Sequence, residues 1–331
     1  MKLSFLASAP YQGHVENRGQ WPVPAGGCDP VVAARSLNHS LELARRADAV
    51  GFDWVSVSEH HYGPTMLTPN PLVWAGALTQ VVTRAKIALL GPLLPINNPV
   101  RLAEEAAMLD CLSGGRIIVL FLRGTPMETK VYGSNVEDTR GATQEGIDLI
   151  LKAWTDPAPF AWEGEHHQYS LVNVWPRPFQ TPYPPMFSSG NSEESVIFAA
   201  QRKLGLAISF ASPEQVAKSV ALYRDEADKA GWAPTADNVL YRAIAQVAES
   251  DAAAAEQAAE MQARRTAMPS GLFAPRFHGG PTQVLEQIEE FRAAGVGIID
   301  LALGAAAHDA ALRSLEVLGA KVQPRMAAWD A

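Results

Sequence analysis

The chain has little cysteine, no excess of basic charge and no long apolar run. Its only cysteines, Cys28 and Cys111, stand far apart, which favours a reducing cytoplasm over a disulfide framework. Lysine and arginine number 27 against 35 acidic residues, and the net charge of -8 offers no basic surface to nucleic acid or an anionic membrane. No run of about 18 apolar residues is present, which argues against a transmembrane helix. We therefore expect a cytoplasmic protein that binds a small molecule.

Short β-rich runs alternate with amphipathic helical stretches along the 331 residues. The runs predicted as strands are Lys2–Ala7, Trp54–His60, Lys86–Leu94, Arg116–Leu122, Pro185–Ser189, Leu206–Phe210, Val239–Val247 and Ile298–Leu303. The predicted helices are Pro30–Val50, Leu72–Val82, Pro99–Leu112, Thr143–Trp154, Glu193–Lys203, Pro213–Ala230, Ala252–Thr266 and Pro281–Ala294. This alternation predicts the α/β class, as a (β/α)8 TIM barrel that uses residues 1–331 as a single domain.

Three segments do not fit the repeat and are predicted as insertion loops at the carboxyl-terminal face of the barrel: Tyr11–Asp29, Trp162–Pro185 and Arg264–Gly280. Loops after barrel strands carry function, so these segments are candidates for substrate walls and, in the third case, a lid. The second is typical of a hairpin with its turn at Gly164. Aromatic residues in these loops line an apolar cavity or simply pack the loops on the barrel, and the sequence leaves both open.

The second predicted strand ends in Glu59-His60-His61. Strand alternation sends Ser56, Ser58 and His60 towards the barrel interior, which puts His60 at its mouth. Catalytic groups in this architecture occur at the carboxyl ends of strands, so His60 is a candidate catalytic residue. That His60 and His61 are both hydrogen-bonded structural histidines is an equally open interpretation. No metal site is predicted, because adjacent histidines on a strand diverge.

A second candidate site is the junction between the predicted strand that ends at Ser189 and the helix that follows it. Free backbone N–H groups and hydroxyls at such a junction suit a phosphate monoester. The same residues also form an ordinary cap at Ser192, and the two acidic residues after it oppose an anion. Arg123 and Arg140, in loops further back along the chain, would supply positive charge to this pocket, although arginine is usually a solvated surface residue.

The order and spacing of several short motifs resemble those of the luciferase-like monooxygenase family over most of the chain. The matching pieces are Gly51–Trp54, Glu59–His61, Asn98–Arg101, Leu109–Asp110, Leu112–Arg116, Leu122–Gly124, Val131–Gly133 with Arg140, Pro176–Pro185, and Ser189–Ser195 before Phe198–Ala200. The resemblance implies the same barrel, reduced FMN as the usual cofactor, and activation of O2 to oxidise a small apolar organic substrate.

Carried over residue by residue, the resemblance implies that His60 is the catalytic histidine beside the flavin. It implies cofactor contacts at Leu90, Gly91, Arg123, Arg140, Asn191, Ser192 and Ser195, of which the arginines and serines would hold the phosphate. The Leu90–Gly91 bond falls where the family often has a non-proline cis peptide beneath the flavin ring. Two positions depart from the family: Asn191 replaces a carboxylate of some members, and Leu122 replaces the reactive cysteine of the luciferases proper, so bioluminescence is not implied.

The source of reducing power is indicated by a missing motif. No Gly-x-Gly-x-x-Gly follows a predicted strand, which argues against a nicotinamide site in this chain. We therefore expect a two-component system in which a separate NAD(P)H:flavin reductase supplies reduced FMN. The alternatives are a deazaflavin-dependent hydride-transfer oxidoreductase, which Glu59-His60-His61 resembles less, and a non-catalytic flavin-binding protein. The resemblance also implies a homodimer that pairs through helices near the second and third strands.

Overall fold

The computed structural model describes residues 1–16, 18–135, 137–250, 252–256, 274–303 and 307–330. The strands are β1 (Lys2–Leu6), β2 (Trp54–Val57), β3 (Lys86–Leu93), β4 (Ile117–Leu122), β5 (Phe160–Glu163), β6 (Gln168–Val172), β7 (Met186–Ser189), β8 (Gly205–Ser209), β9 (Val239–Val247), β10 (Phe277–Gly279) and β11 (Ile298–Ala302). The α-helices are α1 (Pro30–Ala49), α2 (Pro71–Leu78), α3 (Pro99–Ser113), α4 (Pro126–Val131), α5 (Thr139–Thr155), α6 (Glu193–Gln201), α7 (Pro213–Lys229), α8 (Pro281–Ala293), α9 (His308–Val317) and α10 (Gln323–Ala327).

Eight parallel strands close into a barrel. The pairing runs from β1 through β2, β3, β4, β7, β8 and β9 to β11, which pairs with β1 again. The short strand β10 pairs in parallel with the carboxyl-terminal end of β9. The predicted (β/α)8 TIM barrel is therefore confirmed, and each of the eight predicted strands corresponds to one of the eight barrel strands. The main difference is that β2 ends at Val57, so His60 lies in the loop that leaves the strand.

Strand alternation builds two apolar layers, one between the strands and the helices and one inside the barrel. The inner cluster contains Trp54, Ala88, Leu90, Ile118, Leu120, Phe187, Ala207, Leu240 and Ile298, all at least nine-tenths buried. Polar residues also point inward: the hydroxyls of Ser4 and Ser56 donate to Oδ1 of Asp300 at 2.6 and 2.7 Å. The buried strands therefore carry a few polar side chains through an otherwise apolar core.

The second and third insertion segments differ: the structure describes the second in full, whereas most of the third lies outside the described residues. The Trp162–Pro185 stretch begins with the predicted hairpin, β5 with β6, and lies between α5 and β7 rather than after a barrel strand. Its turn packs on the first turns of α5, where Glu145 accepts hydrogen bonds from the backbone of His166 and His167. In the third segment, residues 264–273 and thus most of the predicted lid lie outside the described residues, as does the predicted helix Ala252–Thr266 beyond residue 256.

The expectation of a cis peptide at Leu90–Gly91 is wrong. The cis bonds among the described residues are the X-Pro bonds Trp21–Pro22, Trp175–Pro176 and Thr181–Pro182. Leu90 is paired with Leu120 in the ladder between β3 and β4, and the register shifts between Leu90 and Leu93. The irregularity is taken up by Gly91, whose φ of +149° favours glycine.

None of the described helices has both the length and the apolar character needed to cross a bilayer.

Candidate active site at the carboxyl ends of the strands

A cavity of about 410 Å³ opens at the carboxyl ends of the barrel strands, a volume typical of small-molecule sites. Seven of the eight residues proposed from the sequence line it: His60, Leu90, Arg123, Arg140, Asn191, Ser192 and Ser195. Gly91 does not line the cavity; it packs behind it, where an added Cβ would lie 3.3 Å from the Glu59 backbone nitrogen. None of the hairpin residues lines the cavity, so the described walls come from the barrel strands, the loops directly after them, and α4, α5 and α6.

The two adjacent histidines have different surroundings. His61 is buried, with Nε2 2.9 Å from the Glu59 carboxylate and Nδ1 3.0 Å from the Tyr132 hydroxyl. The side chain of His60 is 48% exposed and lines the cavity. The structural interpretation that the sequence left open for both histidines therefore describes His61, whereas His60 is available to a ligand.

His60 pairs with a carboxylate that sequence reasoning missed. Its Nδ1 lies 3.1 Å from Oε1 of Glu128, a side chain only 4% exposed. The other carboxylate oxygen accepts hydrogen bonds from the backbone nitrogen and hydroxyl of Thr125 at 3.1 and 2.9 Å. Burial of Glu128 opposes its ionisation, but the hydrogen bonds from His60 and Thr125 prevail and lower its pKa to about 2. Glu128 is therefore a carboxylate at neutral pH.

A local signal marks the helix that carries Glu128. Thr125-Pro126-Met127-Glu128 is a capping box with proline at the first helical position, and the structure forms both of its hydrogen bonds at the start of α4. The motif predicts a helix start directly after the fourth strand. It does not indicate that the capping carboxylate also reaches His60, 68 residues earlier in the chain.

The positive charges predicted for a phosphate lie at the same cavity. The exposed guanidinium of Arg123 has no hydrogen-bond or ion-pair partner in the part of the chain that the structure describes. Nη1 of Arg140 lies 3.1 Å from Oε2 of Glu194, and both side chains are largely exposed. Because an exposed ion pair of this kind is weak, Arg140 can turn to an anionic ligand at little cost.

The start of α6 supplies polar groups to this end of the cavity. Ser192 caps the helix: its Oγ accepts from the Ser195 backbone nitrogen and lies 3.0 Å from the Ser195 hydroxyl. Asn191 bridges two barrel strands, since its Oδ1 accepts from the Ser209 backbone nitrogen at 3.0 Å. Gly190 makes a close approach to β8, where a Cβ would lie 2.7 Å from Leu206. Two hydroxyls and a helix amino terminus thus lie at one wall, an arrangement that suits a phosphate.

Beneath the cavity lies a buried ion pair that the sequence did not reveal. Nε of Arg242 donates to Oδ2 of Asp300 at 2.6 Å, and Nη1 donates to the Ser58 hydroxyl at 2.6 Å. The Ser58 hydroxyl in turn donates to the carbonyl of Leu90. Both charged residues interrupt strands that are otherwise largely apolar, which is the signal that could have singled them out. The network joins β2, β3, β9 and β11 across the barrel interior.

None of the described aromatic residues in the predicted loops lines the cavity. Tyr11 is buried and its hydroxyl accepts from the Asp29 backbone nitrogen. Trp21 donates to the His61 carbonyl and stacks edge-on against Tyr62. Trp175 is exposed to solvent. Tyr11 and Trp21 therefore pack the first loop and do not line the cavity.

Comparison with known protein families gives a match over most of the chain. Residues 18–278 match the profile of the family described as luciferase-like monooxygenase. A solved structure of a monooxygenase from Streptomyces bottropensis is 26% identical and superposes with a TM-score of 0.82, covering 98% of this chain and 99% of that one.

Two curated relatives are enzymes. The alkanal monooxygenase alpha chain of Photorhabdus luminescens is 28% identical over 193 residues, which cover 58% of this chain and 53% of the relative. The oxygenase component of the flavin-dependent trigonelline monooxygenase of Acinetobacter baylyi is 28% identical over 164 residues, covering 49% of this chain and 45% of the relative. The matched region therefore spans about half the length of each curated relative.

Proposed function

Because the chain belongs to the luciferase-like monooxygenase family, we propose that it is an FMN-dependent monooxygenase, the oxygenase of a two-component system. A separate NAD(P)H:flavin reductase supplies reduced FMN, and the protein uses O2 to oxidise a small apolar organic substrate. The observation that carries this proposal is the convergence of His60, two arginines and the start of α6 on one cavity. The description of the Acinetobacter relative as an oxygenase component supports the two-component arrangement.

The polar end of the cavity fits a phosphate. Arg123 has an unpaired guanidinium within the described part of the chain, Arg140 has only an exposed partner there, and Ser192 and Ser195 present hydroxyls at a helix amino terminus. Charge-assisted hydrogen bonds to a phosphate are among the stronger polar contacts in proteins. We assign these four residues to the FMN phosphate.

The rest of the cavity fits a planar ring and an apolar substrate. Leu90, Leu120, Phe198 and Leu240 contribute apolar surface to its wall. When bound, reduced FMN supplies the electrons for activation of O2. Surrounding apolar side chains keep water away from the reacting atoms, and His60 places on the wall an imidazole, the side-chain type most often used in general acid–base catalysis. We therefore assign His60 as the catalytic residue.

The proposal of a homodimer is supported by exposed apolar side chains on two neighbouring helices. Val73 on α2 and Met108 and Leu112 on α3 are exposed apolar side chains on the helices that flank β3. This position agrees with a homodimer that pairs through the helices near the second and third strands. Sedimentation of the wild type against the Met108→Glu variant tests it: a dimer that becomes a monomer supports the assignment, and a monomeric wild type contradicts it.

A cytoplasmic location belongs to the same proposal, since Cys28 and Cys111 are free thiols.

The function is tested by oxygen-isotope transfer. Apoprotein is loaded anaerobically with chemically reduced FMN, mixed with a panel of apolar substrates and exposed to ¹⁸O2. We expect one labelled oxygen atom in the product and the other in water. Absence of label together with tight binding of a deazaflavin would support the hydride-transfer alternative, and flavin binding without turnover of any substrate would support a binding protein.

A further inference from the structure

We infer that Glu128 is a positioning residue that holds neutral His60 in the tautomer with its hydrogen on Nδ1, leaving the Nε2 lone pair as the free acceptor at the cavity. The inference rests on the proposed function for the role of His60 in turnover. The pairing itself is a property of the protein without cofactor. It specifies which nitrogen of the His60 ring carries the hydrogen when the ring is neutral.

The contact between the two side chains leaves one choice of donor. An ionised carboxylate has only acceptors, so the hydrogen of the 3.1 Å contact belongs to Nδ1 of His60. Within the described residues Glu128 is the hydrogen-bond partner of the His60 ring. The other charged groups that line the same cavity are Glu59, Arg123, Arg140 and Arg242, and Glu59 is already bonded to His61 and the Leu93 backbone.

The capping box fixes which carboxylate oxygen faces His60. Oε2 of Glu128 accepts two hydrogen bonds from Thr125, so the side chain cannot rotate without breaking the cap. Oε1 is left for the imidazole. The same carboxylate that starts α4 therefore orients an imidazole ring in the loop after β2. Substitutions at positions 128 and 125 separate the two roles.

Glutamine at position 128 reverses the direction of the hydrogen bond between this residue and His60. Glutamine suits this position of a capping box, because its amide oxygen can accept from the Thr125 backbone nitrogen. That orientation turns the amide NH2 towards His60, so Nδ1 must accept and the hydrogen of the neutral ring must move to Nε2. In the Glu128→Gln variant the nitrogen at the cavity would become a donor in place of an acceptor.

The tautomer is measured in the flavin-free protein by NMR of ¹⁵N-labelled histidine above pH 8, with the His60 signals assigned by their loss in His60→Ala. We expect Nδ1–H in the wild type and Nε2–H in Glu128→Gln. The control is Thr125→Ala, which removes the capping hydroxyl but keeps the carboxylate. It should lower the melting temperature and leave the tautomer unchanged.

The result that overturns the inference is an unchanged tautomer in Glu128→Gln, or an inversion of equal size in Thr125→Ala. In the FMN-loaded enzyme, Glu128→Gln should reduce product formation about tenfold or more, with the FMN dissociation constant unchanged. If the wild type transfers no oxygen but Glu128→Gln inverts the tautomer, the positioning role stands and the proposed function fails. If the wild type transfers oxygen but the tautomer does not change in Glu128→Gln, the proposed function stands and the positioning role fails.

Discussion

Arg242 donates from Nε to Oδ2 of Asp300 at 2.6 Å, and the Asp300 side chain has no exposed surface. The pair joins β9 to β11 under the cavity, and the serines of β1 and β2 satisfy the other oxygen of Asp300. Taking two charges out of water is costly, and removing either partner leaves the other charge buried and uncompensated. This makes the cavity floor sensitive to the loss of either residue.

Removal of Asp300 should therefore destabilise the whole barrel. In Asp300→Ala the guanidinium of Arg242 stays buried without its carboxylate, and we expect the free energy of unfolding to fall by about 3 to 5 kcal/mol. Urea denaturation followed by circular dichroism measures the loss. The matched control is Glu316→Gln, which breaks the exposed pair between Arg46 and Glu316 and should cost much less, because exposed ion pairs contribute little to stability. Equal losses in the two variants would contradict the role of the buried pair.

The phosphate assignment predicts a selective loss of affinity. Arg123→Ala should weaken FMN binding about tenfold or more, because a hydrogen bond to a charged group contributes roughly 1.5 to 3 kcal/mol. Riboflavin lacks the phosphate, so its affinity should change little. Titration calorimetry with both ligands measures the difference, and Arg101→Ala on α3, whose partner Glu105 is in the same helix, serves as control. A parallel loss for FMN and riboflavin would remove Arg123 from the phosphate site.

Acid titration tests the ionisation of Glu128. Its pKa is lowered from 4.5 to about 2, so the carboxylate contributes stability that is fully present above pH 4.5. That contribution is lost as the pH falls through about 2, because the unfolded chain binds the proton first. Glutamine does not titrate, and the stability advantage of the wild type over Glu128→Gln should shrink progressively from pH 4.5 towards 2. Chemical denaturation at a series of pH values measures it, and a constant difference over that range would show that Glu128 is not held ionised.

The local sequence pattern predicts the barrel well, but it predicts poorly the contacts between residues that are far apart in the sequence. Strands such as β4 are buried on both faces and so stand out as continuous apolar runs between helical stretches. The position of His60 after the carboxyl end of the second strand also predicts its place at the cavity, although β2 itself ends at Val57. The partners Glu128 and Asp300 are 68 and 58 residues from His60 and Arg242, and a separation of that size leaves no periodic signal. The prediction for the backbone at Leu90–Gly91 is wrong, because a resemblance in position does not determine the geometry of a single peptide bond.

The adjacent histidines offer the most direct test of the catalytic assignment. His60 is half exposed to the cavity, whereas His61 is buried between Glu59 and Tyr132. His60→Ala should keep the barrel folded and FMN bound, and reduce product per folded molecule by roughly a hundredfold, the lower range for general acid–base catalysis. His61→Ala leaves the buried Glu59 without one partner and should cost about 1 to 3 kcal/mol of stability.

The two variants therefore separate catalysis from structure at neighbouring positions. Thermal unfolding and oxygenated product per bound flavin are measured on the same preparations, so that each activity is corrected for the folded fraction. His61→Ala should keep much of its activity per folded molecule, because its ring lies behind the cavity wall. If His60→Ala turns over normally per folded molecule, His60 has no part in the chemistry, and the tautomer that Glu128 selects would then have no bearing on turnover.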